Sequence, residues 1–103
     1  MSDSGENCVL GLDFGSDSVR AVVVRAADGG EIASSVAEYP RWADGRFCNP
    51  AQQQYRQHPA DYMEAMVAAV RGALNECSGS TPRIAGIGVD TTGSSPIPVA
   101  ADG

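Results

Sequence analysis

Two aspartates in this sequence each come at the end of an apolar run. Asp13 ends the segment 8–13, and Asp90 follows the segment 83–89. Continuously apolar runs of this length are typical of strands that are buried on both faces. If the two strands lie side by side and parallel, both carboxylates emerge at the carboxyl edge of the sheet, where open α/β folds bind ligands. Because carboxylates there suit a magnesium ion, we predict a magnesium site at this edge with Asp13 as its ligand.

Small polar residues follow Asp13 and predict a tight turn: Gly15, Ser16, Asp17 and Ser18. Glycine at position 15 would let the backbone approach a phosphate group closely. The serine hydroxyls and the amides of the turn can donate hydrogen bonds to phosphate oxygens. A simpler interpretation is a hairpin turn in which Asp13 and Asp17 make only local side-chain hydrogen bonds. The second strand-ending aspartate favours the phosphate site.

Three classes of function fit a site of this kind. The first is phosphoryl transfer from ATP, and the second is a two-metal nuclease of the ribonuclease H type with Asp13, Glu64 and Asp90 as acids. The third is a nucleotide-binding module of the actin superfamily without catalysis. The nuclease is the weakest of the three, because the net charge is −6 and no basic stripe could attract nucleic acid. We therefore expect no nucleic-acid partner.

A mixed sheet and one helix would position these groups. The pattern predicts strands over 8–13, 18–25, 31–39 and 83–89, a short strand over 97–100, and a helix over 59–76. Asp28 and the two glycines after it are a strong hairpin signal. The simplest right-handed arrangement has the strand order 3-2-1-4, with the first three strands antiparallel and the fourth parallel to the first after the helical crossover.

The helix carries a stripe of large apolar residues at helical spacing, which predicts its buried face: Met63, Met66, Val67, Val70 and Leu74. The segment 40–57 breaks the pattern and is predicted to be irregular. Its aromatic residues Trp42, Phe47 and Tyr55 should pack against something. Together with the edge of strand 97–100, they are the predicted surface through which an isolated chain would self-associate.

The length of 103 residues suits one small domain. The polar segment 1–7 is predicted to be a disordered N-terminus that precedes a domain over 8–103. A signal peptide and an apolar run long enough to span a bilayer are both missing, so we expect a soluble cytoplasmic chain with no membrane partner. Cys8, Cys48 and Cys77 are widely spaced and are expected to be reduced thiols.

Three stretches carry a family resemblance. GLDFGSDSVRAVVV, at 11–24, resembles the first phosphate motif of the FGGY family of carbohydrate kinases, which have a ribonuclease H-like ATPase domain of the actin and hexokinase type. The stretches EYPRWADGRFCNPAQQQYRQHPADYMEAM and GIGVDTTGSSPIPVAADG, at 38–66 and 86–103, are similar more narrowly to the ribulokinase branch. The resemblance covers 8–103 and implies the N-terminal part of the first kinase domain.

The resemblance implies ATP and Mg²⁺ as cofactors and ribulose as the sugar substrate. Asp13 would act on magnesium through water, and the residues implied at the ATP phosphates are Gly15, Ser16, Asp17, Ser18 and Arg20. The loop implied to line the sugar pocket comprises Asp90, Thr91, Thr92, Gly93 and Ser94. Gly93 stands where kinases of other substrates carry a bulky polar residue, which would leave room for ribulose.

The resemblance also implies what lies elsewhere. The catalytic-base aspartate, the adenosine-binding motifs and the second domain of such kinases belong to later segments, so a fragment with this sequence is expected to be inactive alone. Residues 101–103 read as the first half of a further hairpin turn, which predicts a longer parent. That parent would phosphorylate L-ribulose to L-ribulose 5-phosphate in arabinose catabolism and form a homo-oligomer.

Overall fold

A computed structural model describes residues 6–46, 48–52, 54–55, 58–77, 82–92 and 99–102. The strands in this part are β1 (Asn7–Phe14), β2 (Ser18–Arg25), β3 (Glu31–Glu38), β4 (Cys48–Asn49), β5 (Gln54–Tyr55) and β6 (Arg83–Thr91). The helices are α1 (Pro40–Ala43) and α2 (Pro59–Asn75), with a 3₁₀ turn at Pro50–Gln52. The four long strands and the long helix expected from the sequence are all present.

The four long strands form one mixed sheet in the order β3-β2-β1-β6. β1 pairs antiparallel with β2, and β2 pairs antiparallel with β3. β6 lies parallel to β1 on its other side. Because parallel neighbours need a crossover connection, the long segment that contains α2 joins the antiparallel ribbon to β6. This is the strand order expected from the sequence, with β6 as the fourth long strand.

The turn between β2 and β3 uses the predicted hairpin signal. The Asp28 carboxylate accepts a hydrogen bond of 2.9 Å from the Gly30 amide, and the Arg25 amide donates to the Gly30 carbonyl at 2.8 Å. Gly29 has a φ of 76°, in the region that glycine adopts without strain. The turn therefore fixes the register of the hairpin at the end of the sheet away from Asp13.

One face of the sheet forms the core by packing against α2. The buried apolar residues of the sheet are Cys8, Leu10, Leu12, Val19, Ala21, Val23 and Ala33. From the helix they meet three alanines, Ala65, Ala69 and Ala73, which are at most 3% exposed. The predicted stripe of large residues is wrong in part, because Met63, Val67 and Leu74 are exposed and Met66 and Val70 lie only at the margin of the core.

Small residues let α2 approach the sheet closely, which is the physical reason for this difference. A Cβ atom added at Gly72 would lie 2.9 Å from the Ser35 Cβ and closer still to the Ser35 Oγ. The helix backbone therefore contacts β3 at a distance that excludes any larger side chain. Methionine and valine on that face would hold the helix away from the sheet.

The segment after β3 contains more regular structure than expected. Instead of one irregular stretch, it forms the short helix α1 and the small β4–β5 ladder. Trp42 packs partly buried against the core, as an aromatic residue here was expected to do. Phe47 lies outside the described residues, and the side chain of Tyr55 is not described.

The two ends of the chain depart from expectation. Asn7 is the first residue of β1 and Glu6 accepts a hydrogen bond of 3.0 Å from the Arg83 amide, so the disordered start predicted for 1–7 does not extend to them; residues 1–5 lie outside the described part. Of the predicted strand 97–100, only Val99 and Ala100 are described, and neither lies in a strand. Among the described residues, neither helix combines the length and apolar character that crossing a membrane requires.

Close packing at Gly72 predicts an unusual response to a helix-favouring substitution. We expect Gly72→Ala to lower the free energy of unfolding by about 1–3 kcal/mol, although alanine is the better helix former, because the new methyl group overpacks the contact with Ser35. Urea unfolding of the two chains measures this difference.

The neighbouring exposed residue gives the control, since Arg71→Ala should change stability by less than about 0.5 kcal/mol. Ser35→Gly should restore much of the loss in Gly72→Ala by removing both clashing atoms. A more stable Gly72→Ala chain would contradict the close approach.

Candidate functional site

Asp13 and Asp90 lie opposite each other in the β1–β6 pair, next to the carboxyl ends of both strands. Both residues are exposed. Leu12 points into the core, and because side chains alternate along a strand, Asp13 lies on the face away from α2. Adjacent strands are about 4.8 Å apart, so two register partners on one face can reach a common cation. The structure therefore brings together the two acids that the sequence singled out.

The turn 15–18 follows Asp13 at the same edge. The Gly15 amide donates a hydrogen bond of 2.8 Å to the Ser18 carbonyl, which closes the turn. A Cβ atom at position 15 would lie 3.3 Å from that carbonyl oxygen, a tight contact. Glycine is thus favoured here by the turn itself. Because the Gly15 amide already donates within the turn, it is not the group that would donate to a phosphate in this conformation.

Tyr39 supports the turn 15–18 from the core. Its hydroxyl donates a hydrogen bond of 2.9 Å to the Gly15 carbonyl, and its amide donates to the Asp17 carbonyl at 3.0 Å. The residue is fully buried. Burial raises the pKa of Tyr39 to about 12, with smaller contributions from Tyr62 and nearby carboxylates including Asp17, so its hydroxyl stays a hydrogen-bond donor at neutral pH. No local pattern in the sequence predicts this role, because Gly15 and Asp17 are far from Tyr39 along the chain.

A cavity of about 310 Å³ opens beside the turn, between the ends of β1 and β6 and the start of α2. Its lining comprises Phe14, Gly15, Tyr62, Thr91 and Thr92. The Thr92 amide donates a hydrogen bond of 3.1 Å to the Phe14 carbonyl and so ties the loop after β6 to β1. The two threonines of the predicted sugar loop therefore face a pocket with aromatic walls, while Gly93 and Ser94 lie outside the described residues.

Arg20 is the register partner of Asp13 across the β1–β2 pair. Its guanidinium group donates to the Glu31 carboxylate at 3.3 Å, and both side chains are about half exposed. Within the described ranges Arg20 makes no hydrogen bond to the turn 15–18, which Tyr39 supports through its two hydrogen bonds.

A buried carboxylate positions the wall of the cavity. Asp61 is 1% exposed and accepts hydrogen bonds from the Arg41 amide, the Arg41 guanidinium and the Trp42 amide, at 2.9–3.2 Å. Burial alone would raise the pKa of Asp61, but these donors outweigh burial, so its pKa lies below the ordinary value. Asp61 thereby joins α1 to the first turn of α2 and fixes its neighbour Tyr62. The sequence indicated only an acid near a helix start.

The acids of a two-metal nuclease are not brought together. Glu64 lies on α2 and forms an ion pair of 3.1 Å with Arg41, whereas Asp13 lies on the sheet face away from that helix. No group of three or more histidine, cysteine, aspartate or glutamate side chains suited to a metal ion occurs in the part that the structure describes. The described edge of the sheet therefore carries two neighbouring carboxylates, Asp13 and Asp90.

The low pKa of Asp61 predicts an acid-sensitive fold. The pKa of the Asp61 carboxylate is lower in the folded chain than its ordinary value of 3.8. Its contribution to stability is therefore complete above pH 3.8 and is lost as the pH falls below that value. We expect Asp61→Asn to lower the free energy of unfolding at pH 7 by about 2–3 kcal/mol, since the hydrogen bonds to a charged acceptor weaken. Between about pH 5 and about pH 2 the free energy of unfolding should also fall less in the variant than in the unmodified chain, because the variant has no carboxylate at position 61 to protonate. Urea unfolding across this pH range measures both effects.

Glu64→Gln provides a matched control, because Glu64 binds the same arginine from an exposed position. Its effect at pH 7 should stay below about 1 kcal/mol. An equal loss of unfolding free energy in both variants would show that the buried Asp61 stabilises the fold no more than the exposed Glu64 does.

Comparison with known proteins identifies homologues of this chain. The chain is 51% identical over 96 residues to a ribulokinase of Vibrio parahaemolyticus, a match that covers 92% of this chain and 17% of that protein. It is 34% identical over 104 residues to a ribulokinase of Geobacillus thermodenitrificans and 33% identical over 104 residues to one of Anoxybacillus flavithermus, in each case over 96% of this chain and 18% of the relative. No family model matches the chain. The chain is therefore a homologue of the ribulokinases and spans about a sixth of the length of the relatives that it matches.

Proposed function

We propose that this chain is a segment of an ATP-dependent ribulokinase and that it forms the phosphate site and part of the sugar pocket of that enzyme. The observation that carries the proposal is the in-register placement of Asp13 and Asp90 at the strand ends, where each directly precedes a residue that lines the cavity. In a chain homologous to ribulokinases, this placement supports phosphoryl transfer. The order of three antiparallel strands followed by a parallel fourth supports a partial ribonuclease H-like domain of the actin and hexokinase type.

The residues at the sheet edge fit a magnesium ion with ATP. Mg²⁺ in phosphoryl-transfer sites is usually bound by one or two carboxylates together with substrate phosphates, and Asp13 and Asp90 supply two carboxylates. When bound, the ion would neutralise charge on the phosphates. Asp13 would hold it, directly or through water, while the serines of the turn 15–18 donate hydrogen bonds to phosphate oxygens.

The cavity fits the sugar. The hydroxyls of Thr91 and Thr92 can hydrogen-bond to sugar hydroxyls, and the rings of Phe14 and Tyr62 exclude water from the apolar side of the pocket. We propose L-ribulose as the substrate, L-ribulose 5-phosphate as the product and arabinose breakdown in the cytoplasm as the setting. The catalytic base and the adenosine site would come from other segments, so the chain alone would be inactive.

The two alternative functions have less support. A two-metal nuclease would need Glu64 beside the strand-end acids, and Glu64 pairs with Arg41 instead. A binding module without catalysis would explain the turn but leaves the threonine-lined cavity without a purpose. The similarity to ribulokinases favours neither.

A chimera tests the proposal. The chain would replace the matched segment in the Vibrio parahaemolyticus relative, and ADP release would be measured with ribulose, xylulose and glycerol as acceptors. We expect the chimera to phosphorylate ribulose in preference to the other two. A chimera that unfolds as cooperatively as the unmodified relative but shows no ribulose-dependent ADP release would overturn the proposal.

In the active chimera, Asp13→Asn should lower kcat by about a thousandfold or more, because the metal and phosphate charge lose a partner. Asp28→Asn serves as the matched control, since Asp28 is an exposed aspartate in the hairpin turn at the far end of the sheet. Steady-state kinetics should show nearly normal turnover for that control. Normal turnover in Asp13→Asn would remove Asp13 from the mechanism.

We further propose that the isolated chain self-associates through the β6 side of the sheet and binds ATP only weakly. In the described part of the sheet, β6 is an edge strand, and its Ile87 and Val89 are 62% and 61% exposed. An open edge with apolar side chains favours association. This replaces the edge of strand 97–100 as the expected contact.

Sedimentation velocity of the isolated chain should show a concentration-dependent dimer that Val89→Lys weakens. Val99→Lys is the control, because Val99 is similarly exposed, at 68% against 61% for Val89, but lies outside the sheet. A monomer at high concentration would contradict the association, and tight binding in a calorimetric titration with ATP would contradict the second part of the proposal.

A further inference from the structure

Tyr39 connects the turn 15–18 to the core and to the cavity at the same time. We infer that Tyr39 is a positioning residue that sets the orientation of this turn toward the ATP phosphates, an inference that rests on the proposed kinase function. Tyr39 would not contact either substrate. It acts through the backbone of the turn, by the two hydrogen bonds to Gly15 and Asp17.

The two hydrogen bonds fix two peptide planes. The carbonyl groups of Gly15 and Asp17 both turn toward Tyr39. In a trans peptide the carbonyl and the N–H of the same unit point in opposite directions. The N–H groups of Ser16 and Ser18 therefore point away from Tyr39, and the two serine side chains start from backbone that Tyr39 holds in place.

Because Tyr39 is buried, its hydrogen bond to the turn favours a single position of the turn. The Tyr39 side chain is fully buried, and a buried hydroxyl without a partner is costly. The Gly15 carbonyl is the acceptor of that hydroxyl. Any displacement of the turn that breaks this bond leaves a buried donor unsatisfied, so the turn has one strongly preferred position relative to the core.

The aromatic rings extend the connection to the cavity. The rings of Tyr39 and Tyr62 meet edge to face with centroids 5.0 Å apart, and those of Tyr62 and Phe14 do so at 6.1 Å. Such pairs are favoured arrangements of aromatic rings. Phe14 and Tyr62 are walls of the cavity, so one row of three rings supports the turn at one end and the pocket at the other.

A purely structural residue would behave differently from a positioning residue. Loss of a structural residue lowers stability and leaves the substrate constants of the folded enzyme unchanged. Loss of the Tyr39 hydroxyl removes the hydrogen bond to the turn but keeps the ring against Tyr62. It should therefore affect ATP more strongly than the sugar.

Kinetics in the chimera separate these two roles. We expect Tyr39→Phe to lower kcat/KM for ATP about tenfold, the size expected for one intramolecular hydrogen bond. The KM for ribulose should stay within about twofold, because the aromatic walls keep their packing. Val23→Ala is the control for stability alone, since Val23 is fully buried in β2 and away from the turn. Equal effects of Tyr39→Phe on both substrates, or no effect on either, would overturn the inference.

Hydrogen exchange on the full 103-residue chain gives a second readout that needs no kinase activity. Tyr39→Phe should speed exchange of the Gly15 and Tyr39 amides, whose acceptors lie in the turn, and leave the amides in the middle of β2 unchanged. An inactive chimera would count against the proposed function alone. Unchanged exchange at Gly15 and Tyr39 would count against the positioning role itself.

Discussion

The parallel pairing of β1 with β6 is the constraint on which the site depends. Parallel neighbours end at the same edge of a sheet, so the residues that follow both strands meet there whatever their separation along the chain. The register places Asp13 opposite Asp90, and one residue further on it places the aromatic Phe14 opposite Thr91. An antiparallel β6 would have put the two acids at opposite ends of the molecule. The β1–β6 pairing thus brings the two carboxylates together and also places two residues of the cavity wall side by side.

The parallel pairing requires a crossover connection, which contains α2. The residues that hold α2 in place also determine the shape of the cavity. Three alanines and Gly72 bring α2 down onto β2 and β3. The first turn of the helix is held by Asp61, whose carboxylate accepts hydrogen bonds from the Arg41 and Trp42 amides, which as first-turn amides have no acceptor within α1. Tyr62 follows directly and contacts both Tyr39 and Phe14. The buried carboxylate of Asp61 therefore fixes the position of the aromatic wall of the cavity.

Local features of the sequence were sufficient for the elements and for the acid pair. Strand-ending aspartates, a glycine-rich hairpin and one long helical pattern are each visible within a few residues. The buried helix face was not predictable in this way, because the large residues and the alanines form two stripes with the same period, and the packing distance decides between them. Tyr39 and Asp61 were missed as supporting residues for a related reason: their partners lie far along the chain, at Gly15 and Arg41.

Coverage of the sheet is uneven, and this bears on how the site would work. On the face that holds the core, α2 covers β2 and β3, whereas Ile87 and Val89 of β6 remain about 60% exposed beside the buried Leu10 and Leu12. The cavity lies at this boundary, with Tyr62 on the covered side and Thr91 on the open side. Anything that packs over the open strands would also narrow the mouth of the cavity. Covering these strands would therefore also shield the cavity from water, and exclusion of water strengthens electrostatic interactions inside a site.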